Sequence, residues 1–310
     1  MRAAFTFIEL ASVSAVTAVV FVIAISSIAA ARERARNAQC VNNLRNLTIA
    51  LNAYHDAAGR FPPGTTGARS PVSLDQSEHH VSWIVRITPQ LGRTPLYDAY
   101  DFGATAYEQV GTAAGFNLLY CPSGDFHSRD SSYVGFHAHV PGPITDAGTG
   151  LLFLNSSVRR GGIADGAGCT LALTETTLPW PVDWTTGTRA TLRTPEFAGA
   201  EELPWGAYDA KGSAWFDLRE RTDDLGFDPC FESGTVDGPL PPPEPVSLTE
   251  ADLPSWSADF AVRSIGSRHT DGHVNAATAG GAVRPLSPSI DRGLLRSLVH
   301  RSDAAPLEGF

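Results

Sequence analysis

The chain has 310 residues, of which 43% are hydrophobic and 18% are charged, and its formal net charge is −10. This length allows one large domain or two small ones, and the hydrophobic share supports a folded core, which excludes a disordered stalk. The negative charge argues against nucleic acid or an anionic surface as a partner.

An uncharged apolar run from Ala11 to Ala31 follows a short N-terminal stretch that contains Arg2 and Glu9. About 20 apolar residues allow a helix to cross the hydrocarbon core of a bilayer. The run therefore predicts one membrane-spanning helix, with the lipid bilayer as a partner. Glu9 lies beside this run, where an unpaired carboxylate is costly, so we expect it to have a partner.

The helical pattern continues past the span to about residue 58. Its apolar positions recur every three or four residues and form one stripe on which a domain can pack. These positions are Cys40, Val41, Leu44, Leu47, Thr48, Leu51, Tyr54 and His55. Gly59 and the prolines at 62 and 63 end the pattern.

Residues 59–310 contain frequent glycine and proline and short apolar segments rich in aromatic and β-branched residues. Segments such as VSWIVRI, GLLFL and CTLALTE, bounded by turn residues, favour strands. The predicted fold is therefore α+β, with one long N-terminal helix packed on a β-rich C-terminal domain. Residues 179–258 include a proline-rich run from Pro239 to Pro245, which predicts an extended surface insertion.

Four cysteines lie far apart, at Cys40, Cys121, Cys169 and Cys230, and none forms a C-x-x-C pair. This spacing fits neither a zinc ribbon nor a thioredoxin-like site, and an even number in an exported chain suggests disulfides. Four cysteines allow three pairings. We prefer Cys40 with Cys121 and Cys169 with Cys230, with free buried thiols as the alternative for the second pair.

Histidines and aspartates suggest metal sites at three places: His269, Asp271 and His273; His127, His137 and His139; and Asp125 with Asp165. The first set would share one face of a strand, but Asp271-Gly272 is also a turn signal. The last pair would suit a calcium loop, but no EF-hand spacing is present. Turn and surface roles are preferred, so we predict no metal or cofactor and keep calcium as the alternative.

The sequence contains no G-x-S-x-G, H-E-x-x-H or phosphate-binding glycine loop. Cys121 with a histidine would suit a thiol nucleophile, but an exported cysteine is more commonly oxidised. Glu175 ends an apolar strand-like run and is expected to be partly buried. Five tryptophans would suit sugar stacking, although packing under long loops is preferred: Trp180, Trp184, Trp205, Trp215 and Trp256. We expect the protein not to be an enzyme.

The N-terminus resembles type IV pilins and type II secretion pseudopilins, whose precursors carry a short basic leader, then phenylalanine, with glutamate at the fifth mature position. Met1 to Ala4 would be the leader, Phe5 the first mature residue and Glu9 the fifth. The resemblance implies cleavage between Ala4 and Phe5 and methylation by a prepilin peptidase. It also implies that Glu9 compensates the terminal amine of a neighbouring subunit in a homo- or hetero-oligomer of pilin-like subunits. The family has glycine where this chain has Ala4, and its leader is more basic.

Eight further segments carry a second resemblance: QCVNNLRNLTIALNAYHDAAGRFPPG (39–64), SWIVRITPQL (82–91), LYDAYDF (96–102), YCPSGD (120–125), SSYVG (131–135), GLLFLNSSVR (150–159), IADGAGCTLALTE (163–175) and SRHTDGHVNAATAGGAVRPLSPSID (267–291). In this order they resemble a planctomycete-type pilin-like family with a C-terminal H-x9-D-G motif. That family is the domain of unknown function 1559, also called solute-binding protein family 10. His269, Asn275 and Gly281 fall in its C-terminal motif, where Gly280 replaces the family's aspartate.

These patterns predict a single-pass protein of the inner (cytoplasmic) membrane with an extracytoplasmic C-terminal domain and a structural or assembly role in a cell-surface or secretion filament. A membrane-anchored solute- or glycan-binding module is the alternative. For the N-terminus, a secretory signal cut near Ala31 and an unprocessed anchor remain alternatives. Basic residues after the span, Arg32, Arg34 and Arg36, favour the opposite orientation, but the cysteines and the pilin-like start favour an external domain.

Overall fold

The computed structural model describes residues 7–72, 80–105, 115–124, 131–176, 184–188, 191–197, 264–267, 269 and 272–303. The helices of this part are α1 (Phe7–Ala58), α2 (Trp83–Ile87), α3 (Thr94–Asp98) and α4 (Arg292–Val299). Its strands are β1 (Tyr133–Phe136), β2 (Leu171–Glu175), β3 (Leu192–Arg193), β4 (Glu196–Phe197), β5 (Ser264–Ile265), β6 (Val274–Thr278) and β7 (Val283–Leu286). Short 3-10 turns cover Asn117–Leu119 and Arg160–Gly162.

Helix α1 is continuous, and it changes from exposed to packed along its length. Its first half carries large apolar side chains that are more than half exposed, among them Val16, Phe21 and Ile25. From residue 40 onward one stripe is buried, as the spacing predicts: Cys40, Leu44, Leu47, Thr48 and Leu51. Gly59 ends the helix with φ of +72°, and its N–H donates to the carbonyl of His55, because glycine adopts this left-handed conformation without strain.

The body is built on a five-stranded mixed sheet with the order β3-β1-β2-β6-β7. Strands β1 and β3 are parallel, and the other neighbouring pairs are antiparallel. Every residue of the central strands β2 and β6 is buried. One face of the sheet packs on α1, whereas the residues of α4 join a second hydrophobic cluster with β2, β6 and β7. Strands β4 and β5 form a separate parallel pair. This layout confirms the α+β prediction.

Two segments predicted as strands have a different structure. Residues 83–87 of VSWIVRI form helix α2, because the Ser82 hydroxyl caps it by accepting the N–H of Ile84 and four of its five residues are buried. Residues 150–154 of GLLFL form bends and one isolated bridge between Leu154 and Thr65. Burial on several sides, rather than on one face of a sheet, explains these apolar runs. The third segment, CTLALTE, forms strand β2 as predicted.

Helix α4 begins with a side-chain cap, which gives a test of local stability. The Asp291 carboxylate accepts the N–H of Leu294 at 2.9 Å. We expect Asp291→Ala to lower the free energy of unfolding by about 1 kcal/mol, because the N–H loses its partner. Asp291→Asn, which keeps an acceptor, is expected to cost a few tenths at most. Urea unfolding of the detergent-solubilised chain, followed by tryptophan fluorescence, measures both; equal losses for the two variants would contradict the cap.

Candidate functional site

Four buried side chains from distant parts of the chain converge beside α1. Cys40 lies on α1, Cys121 follows the 3-10 turn at 117–119, Glu175 ends β2, and His269 precedes β6. One donor atom from each lies within 4.8 Å of the others. The exposed fractions of the whole residues are 0% for Cys40, 7% for Cys121, 2% for Glu175 and 5% for His269. We call these residues the four-residue cluster.

Local structure holds each member of the cluster in place. Cys121 donates its backbone N–H to the Ser132 hydroxyl at 2.7 Å, and its carbonyl accepts the N–H of Gly124 in a turn. Glu175 pairs with Tyr133 in the β1–β2 ladder. Two further hydrogen bonds fix the segment around His269. His269 accepts the Gly272 N–H on its carbonyl and donates its own N–H to the Ser267 hydroxyl. The helical spacing places Cys40 on the same face of α1 as Glu33 and Asn37.

His269 is the centre of the polar contacts. Its Nδ1 lies 2.9 Å from Oε1 of Glu33, on the helix. Its Nε2 lies 3.7 Å from Sγ of Cys121 and 3.5 Å from Oε1 of Glu175. Both ring nitrogens therefore face acidic groups. Since the His269 side chain is 1% exposed and that of Glu175 is 2% exposed, their contact is shielded from water, whereas the Glu33 side chain is 16% exposed.

Glu175 is held by the amide of Asn275. The Asn275 backbone N–H donates to Oε2 at 2.9 Å, and its side-chain Nδ2 donates to Oε1 at 3.1 Å. The same Nδ2 lies 2.8 Å from Oδ1 of Asn37 on α1. Asn275 thus links the carboxylate to both β6 and the helix, so the orientation of Glu175 is fixed from two sides.

Hydrogen bonds set the protonation of the cluster. Burial lowers the pKa of His269, but hydrogen bonds with Cys121, Glu175 and Glu33 outweigh burial and raise the pKa to about 11. The hydrogen bond with Cys40 lowers the pKa of the Cys121 thiol to about 6, although burial opposes it. The same bond, together with burial, raises the pKa of Cys40 above its usual range. These directions favour a thiolate at Cys121 and an imidazolium at His269.

The ligand atoms and the burial of the four-residue cluster indicate which functions it can support: metal binding, catalysis or a disulfide. Two sulfurs, an imidazole nitrogen and a carboxylate oxygen are ligands that Zn²⁺ accepts in proteins. A thiolate beside an imidazolium also resembles an activated nucleophile, but Cys121 is only 7% exposed, and a nucleophile must reach a substrate. Neighbouring cysteines also suit a disulfide. Burial therefore favours a metal or a disulfide over catalysis.

Both residues of the first predicted cysteine pair are described, but only one residue of the second pair is. Cys40 and Cys121 are neighbours in the cluster, and both are free thiols there, so the bond between them stays a prediction. Cys169 is a free, exposed thiol, and its predicted partner Cys230 lies outside the described residues. Ala4 and Phe5 also lie outside them, and Glu9 lies within α1. The roles of these three residues in processing and assembly stay predictions.

Within the part of the chain that the structure describes, none of the three sets weighed as metal ligands forms a ligand cluster of its own. Gly272 has φ of +70° and donates its N–H to the His269 carbonyl, so a turn stands where a shared strand face with His273 would require extended backbone. Asp271, His127 and Asp125 lie outside the described residues. His137 is fully buried, whereas Nδ1 of His139 lies 2.7 Å from the Thr149 hydroxyl.

Two remaining predictions concern turn and packing residues. Gly166, after Asp165, has φ of +85° and donates its N–H to the Ile163 carbonyl, which is a turn. Trp184 is 2% exposed and packs edge-on against Phe116, as the packing interpretation expects. The other four tryptophans weighed for sugar stacking lie outside the described residues.

Sequence reasoning named all four members of the cluster separately, but it missed the cluster as a unit. Each member lies in a different segment that carries the family resemblance, QC, YCPSGD, CTLALTE and SRH. Residue type was the available signal, since each segment offers one thiol, imidazole or carboxylate. Asn275 and Gly281 of the C-terminal motif also have defined places: Asn275 binds Glu175, and Gly281, with φ of +98°, forms the β6–β7 turn.

A comparison with known families finds one whose model covers the segments that contain the cluster residues. A family model described as "Protein of unknown function (DUF1559)", with the label SBP_bac_10, matches residues 29–293. This range contains all four cluster residues and the packed half of α1. No curated protein and no solved structure matches the chain.

Proposed function

The chain belongs to the DUF1559 family of proteins of unknown function, and from this premise we propose that it is a membrane-anchored, pilin-like or pseudopilin-like subunit of a cell-surface or secretion filament. A prepilin peptidase removes residues 1–4, the apolar part of α1 lies in the cytoplasmic membrane, and the body lies outside it. The observation that carries the proposal is the exposed apolar half of α1, which continues without a break into the packed half.

The exposed half of α1 needs an apolar environment. By length and composition, α1 is able to cross a membrane. Its large side chains are 51–68% exposed between Val13 and Ile28, and they point to all sides of the helix: Val13, Val16, Val19, Val20, Phe21, Val22, Ile23, Ile25 and Ile28. A soluble domain does not expose such a surface. Lipid, or the same helix of neighbouring subunits, would cover it.

The continuity of α1 favours a filament subunit over a simple anchor. The helix that supplies the apolar segment also supplies buried residues of the body, with Leu44, Leu47 and Leu51 at 0% exposure. A tether needs no such rigid connection, whereas a helix that packs with its neighbours must hold the body in a fixed position. Glu9, beside the apolar run, would supply the charge that pairs with a neighbouring N-terminus.

The solute-binding alternative has weaker support. One cavity in the described residues, about 530 Å³ and open to solvent, is lined by Phe153, Val158 and Arg301 among others. The Arg301 guanidinium donates to the carbonyl oxygens of Gly148 and Gly150 and lies 5.0 Å from the centre of the Phe153 ring. Its charge is therefore engaged within the fold, so Arg301 gives no support for a ligand site in this cavity.

Two measurements on native membranes test the proposal. We expect mass spectrometry to find a mature N-terminus at a methylated Phe5. We also expect a photo-crosslinking residue at Ile49, which is 57% exposed on α1, to attach to another copy or another pilin-like subunit. Glu9→Ala should abolish the crosslink, whereas Thr17→Ala, whose hydroxyl donates to the Val13 carbonyl within the helix, should keep it.

The opposite results identify the alternatives. An N-terminus at Met1 would make the helix an unprocessed anchor, and a cut after Ala31 would make it a secretory signal. A crosslink that persists unchanged in Glu9→Ala would remove the assembly role of that carboxylate.

A further inference from the structure

The four-residue cluster has the composition and spacing of a metal site. We propose that Cys40 Sγ, Cys121 Sγ, His269 Nε2 and Glu175 Oε1 bind one Zn²⁺ ion, which fixes α1 to the body where the helix leaves the membrane. The proposal is independent of filament assembly, since a simple anchor would need the same junction.

The distances agree with tetrahedral coordination. Zinc–sulfur bonds of about 2.3 Å and zinc–nitrogen or zinc–oxygen bonds of about 2.0–2.1 Å place sulfur and nitrogen donors about 3.6 Å apart, and nitrogen and oxygen donors about 3.3 Å apart. The corresponding separations here are 3.7 Å for Cys121 Sγ to His269 Nε2 and 3.5 Å for His269 Nε2 to Glu175 Oε1. All four donor atoms lie within 4.8 Å of one another, so no remaining pair is more than about 1.2 Å wider than the roughly 3.6–3.8 Å expected for sulfur-containing pairs around tetrahedral zinc.

The surrounding contacts are those that orient metal ligands. A zinc-bound histidine usually donates its other ring N–H to a carboxylate, and His269 Nδ1 lies 2.9 Å from Oε1 of Glu33. Zinc-bound carboxylates are in turn hydrogen-bonded, and Glu175 accepts two N–H groups of Asn275. Glu33 therefore orients the His269 ring, and Asn275 orients the Glu175 carboxylate, each from outside the cluster.

Burial assigns the site a structural role. Four protein ligands leave no open position for substrate, which is the pattern of structural zinc sites. On binding, Zn²⁺ replaces the proton on Nε2 of His269 and any protons on the two thiols, and these protons leave to solvent. The ligands come from α1, the segment after residue 119, β2 and the segment before β6, so one ion joins four parts of the fold.

A disulfide between Cys40 and Cys121 is the competing arrangement, because the same sulfurs cannot form it and bind zinc as thiolates. The two states differ in thiol content and in metal content. Protein from native membranes should therefore contain about one zinc per chain, and the thiols of Cys40 and Cys121 should be alkylated after chelation and denaturation without a reductant.

Cobalt provides the spectroscopic test on the full chain in detergent. After chelation, we expect Co²⁺ to bind with a stoichiometry of one, with strong visible bands of tetrahedral Co²⁺ and a near-ultraviolet thiolate-to-cobalt band that Zn²⁺ abolishes. Cys121→Ser and His269→Gln should weaken binding at least 100-fold. Cys169→Ser, which alters the exposed cysteine outside the cluster, should leave it unchanged.

A variant of Glu33, which orients His269 but is not a ligand of the metal, tests the proposal even if the variants of the ligands do not fold. Glu33→Gln should retain the cobalt spectrum but bind 10- to 100-fold more weakly, the usual effect of losing an outer carboxylate. The proposal is overturned if the native protein carries the disulfide and no metal. It is also overturned if the thiolate band is absent, or if His269→Gln, folded by circular dichroism, binds Co²⁺ as tightly as the parent chain.

Discussion

Replacing Glu175 with leucine in the metal-free chain is expected to lower the free energy of unfolding by about 3–5 kcal/mol, the usual cost of removing one partner of a buried charged pair. The carboxylate is 2% exposed and accepts two N–H groups of Asn275. Its Oε1 also lies 3.5 Å from Nε2 of His269. Leucine would leave the Asn275 N–H groups without an acceptor and the His269 charge with one carboxylate fewer.

A glutamine at the same position separates the two contributions. Glu175→Gln keeps a carbonyl acceptor for Asn275 but removes the negative charge, so we expect it to lose clearly less stability than the leucine variant. Urea unfolding of the chelated chain in detergent, followed by tryptophan fluorescence, measures both. A leucine variant within about 1 kcal/mol of the parent would show that the Glu175 contacts do not hold the β2–β6 pair.

Helix α1 could be predicted from sequence because its signals are local. The uncharged run and the stripe through Leu44, Leu47 and Leu51 need only the helical period, and Gly59 marks the end by its backbone conformation. Strand β2 was predicted for a similar reason, since its apolar residues form a short run with β-branched and turn residues nearby. For both elements, local preference and burial in the fold agree.

Helix α2 could not be predicted in the same way. Its sequence, WIVRI, has the β-branched and aromatic residues of a strand, and strand preference is mainly a preference for a pleated, half-buried surface. In the fold this segment is enclosed, with Trp83 fully buried and its Nε1 donating to the Thr191 carbonyl at 3.0 Å. That contact spans 108 residues, and a local pattern carries no information about it.

The four-residue cluster shows the same limit for the site. Residue types in the sequence indicated that Cys121 and His269 were candidates for some chemistry, but the two side chains are 148 residues apart in the chain. Their convergence depends on the strand order, which places β2 beside β6 and both against α1. The partner of His269 on α1, Glu33, lies 236 residues away, and the sequence offered only its charge next to the membrane span.

The fully buried His137 is expected to make the fold sensitive to mild acid. Burial, with a smaller contribution from Arg193, lowers its pKa to about 3 from the ordinary value of 6.5. Neither ring nitrogen has a hydrogen-bond partner among the described residues. Because the folded-state pKa lies below the unfolded one, protonation favours unfolding. The stability that neutral His137 provides is therefore fully present above about pH 6.5. As the pH falls from there towards 3, the free energy of unfolding decreases by roughly 1.4 kcal/mol per pH unit.

The comparison of the parent chain with His137 variants between pH 7 and pH 5 isolates this histidine, because the other groups that titrate in this window, including Cys121 with a pKa of about 6, are common to all of these chains. We expect the parent chain to lose about 2 kcal/mol of unfolding free energy across this window because of His137. His137→Leu and His137→Gln both remove the titrating group, so both should lose that much less. Leucine is apolar and glutamine is polar. If both variants lose less unfolding free energy in acid than the parent chain, the loss comes from protonation of His137 and not from its unpaired ring nitrogens. Parallel losses in the parent and both variants, measured by urea unfolding at each pH, would mean that His137 is hydrated or paired in the folded chain.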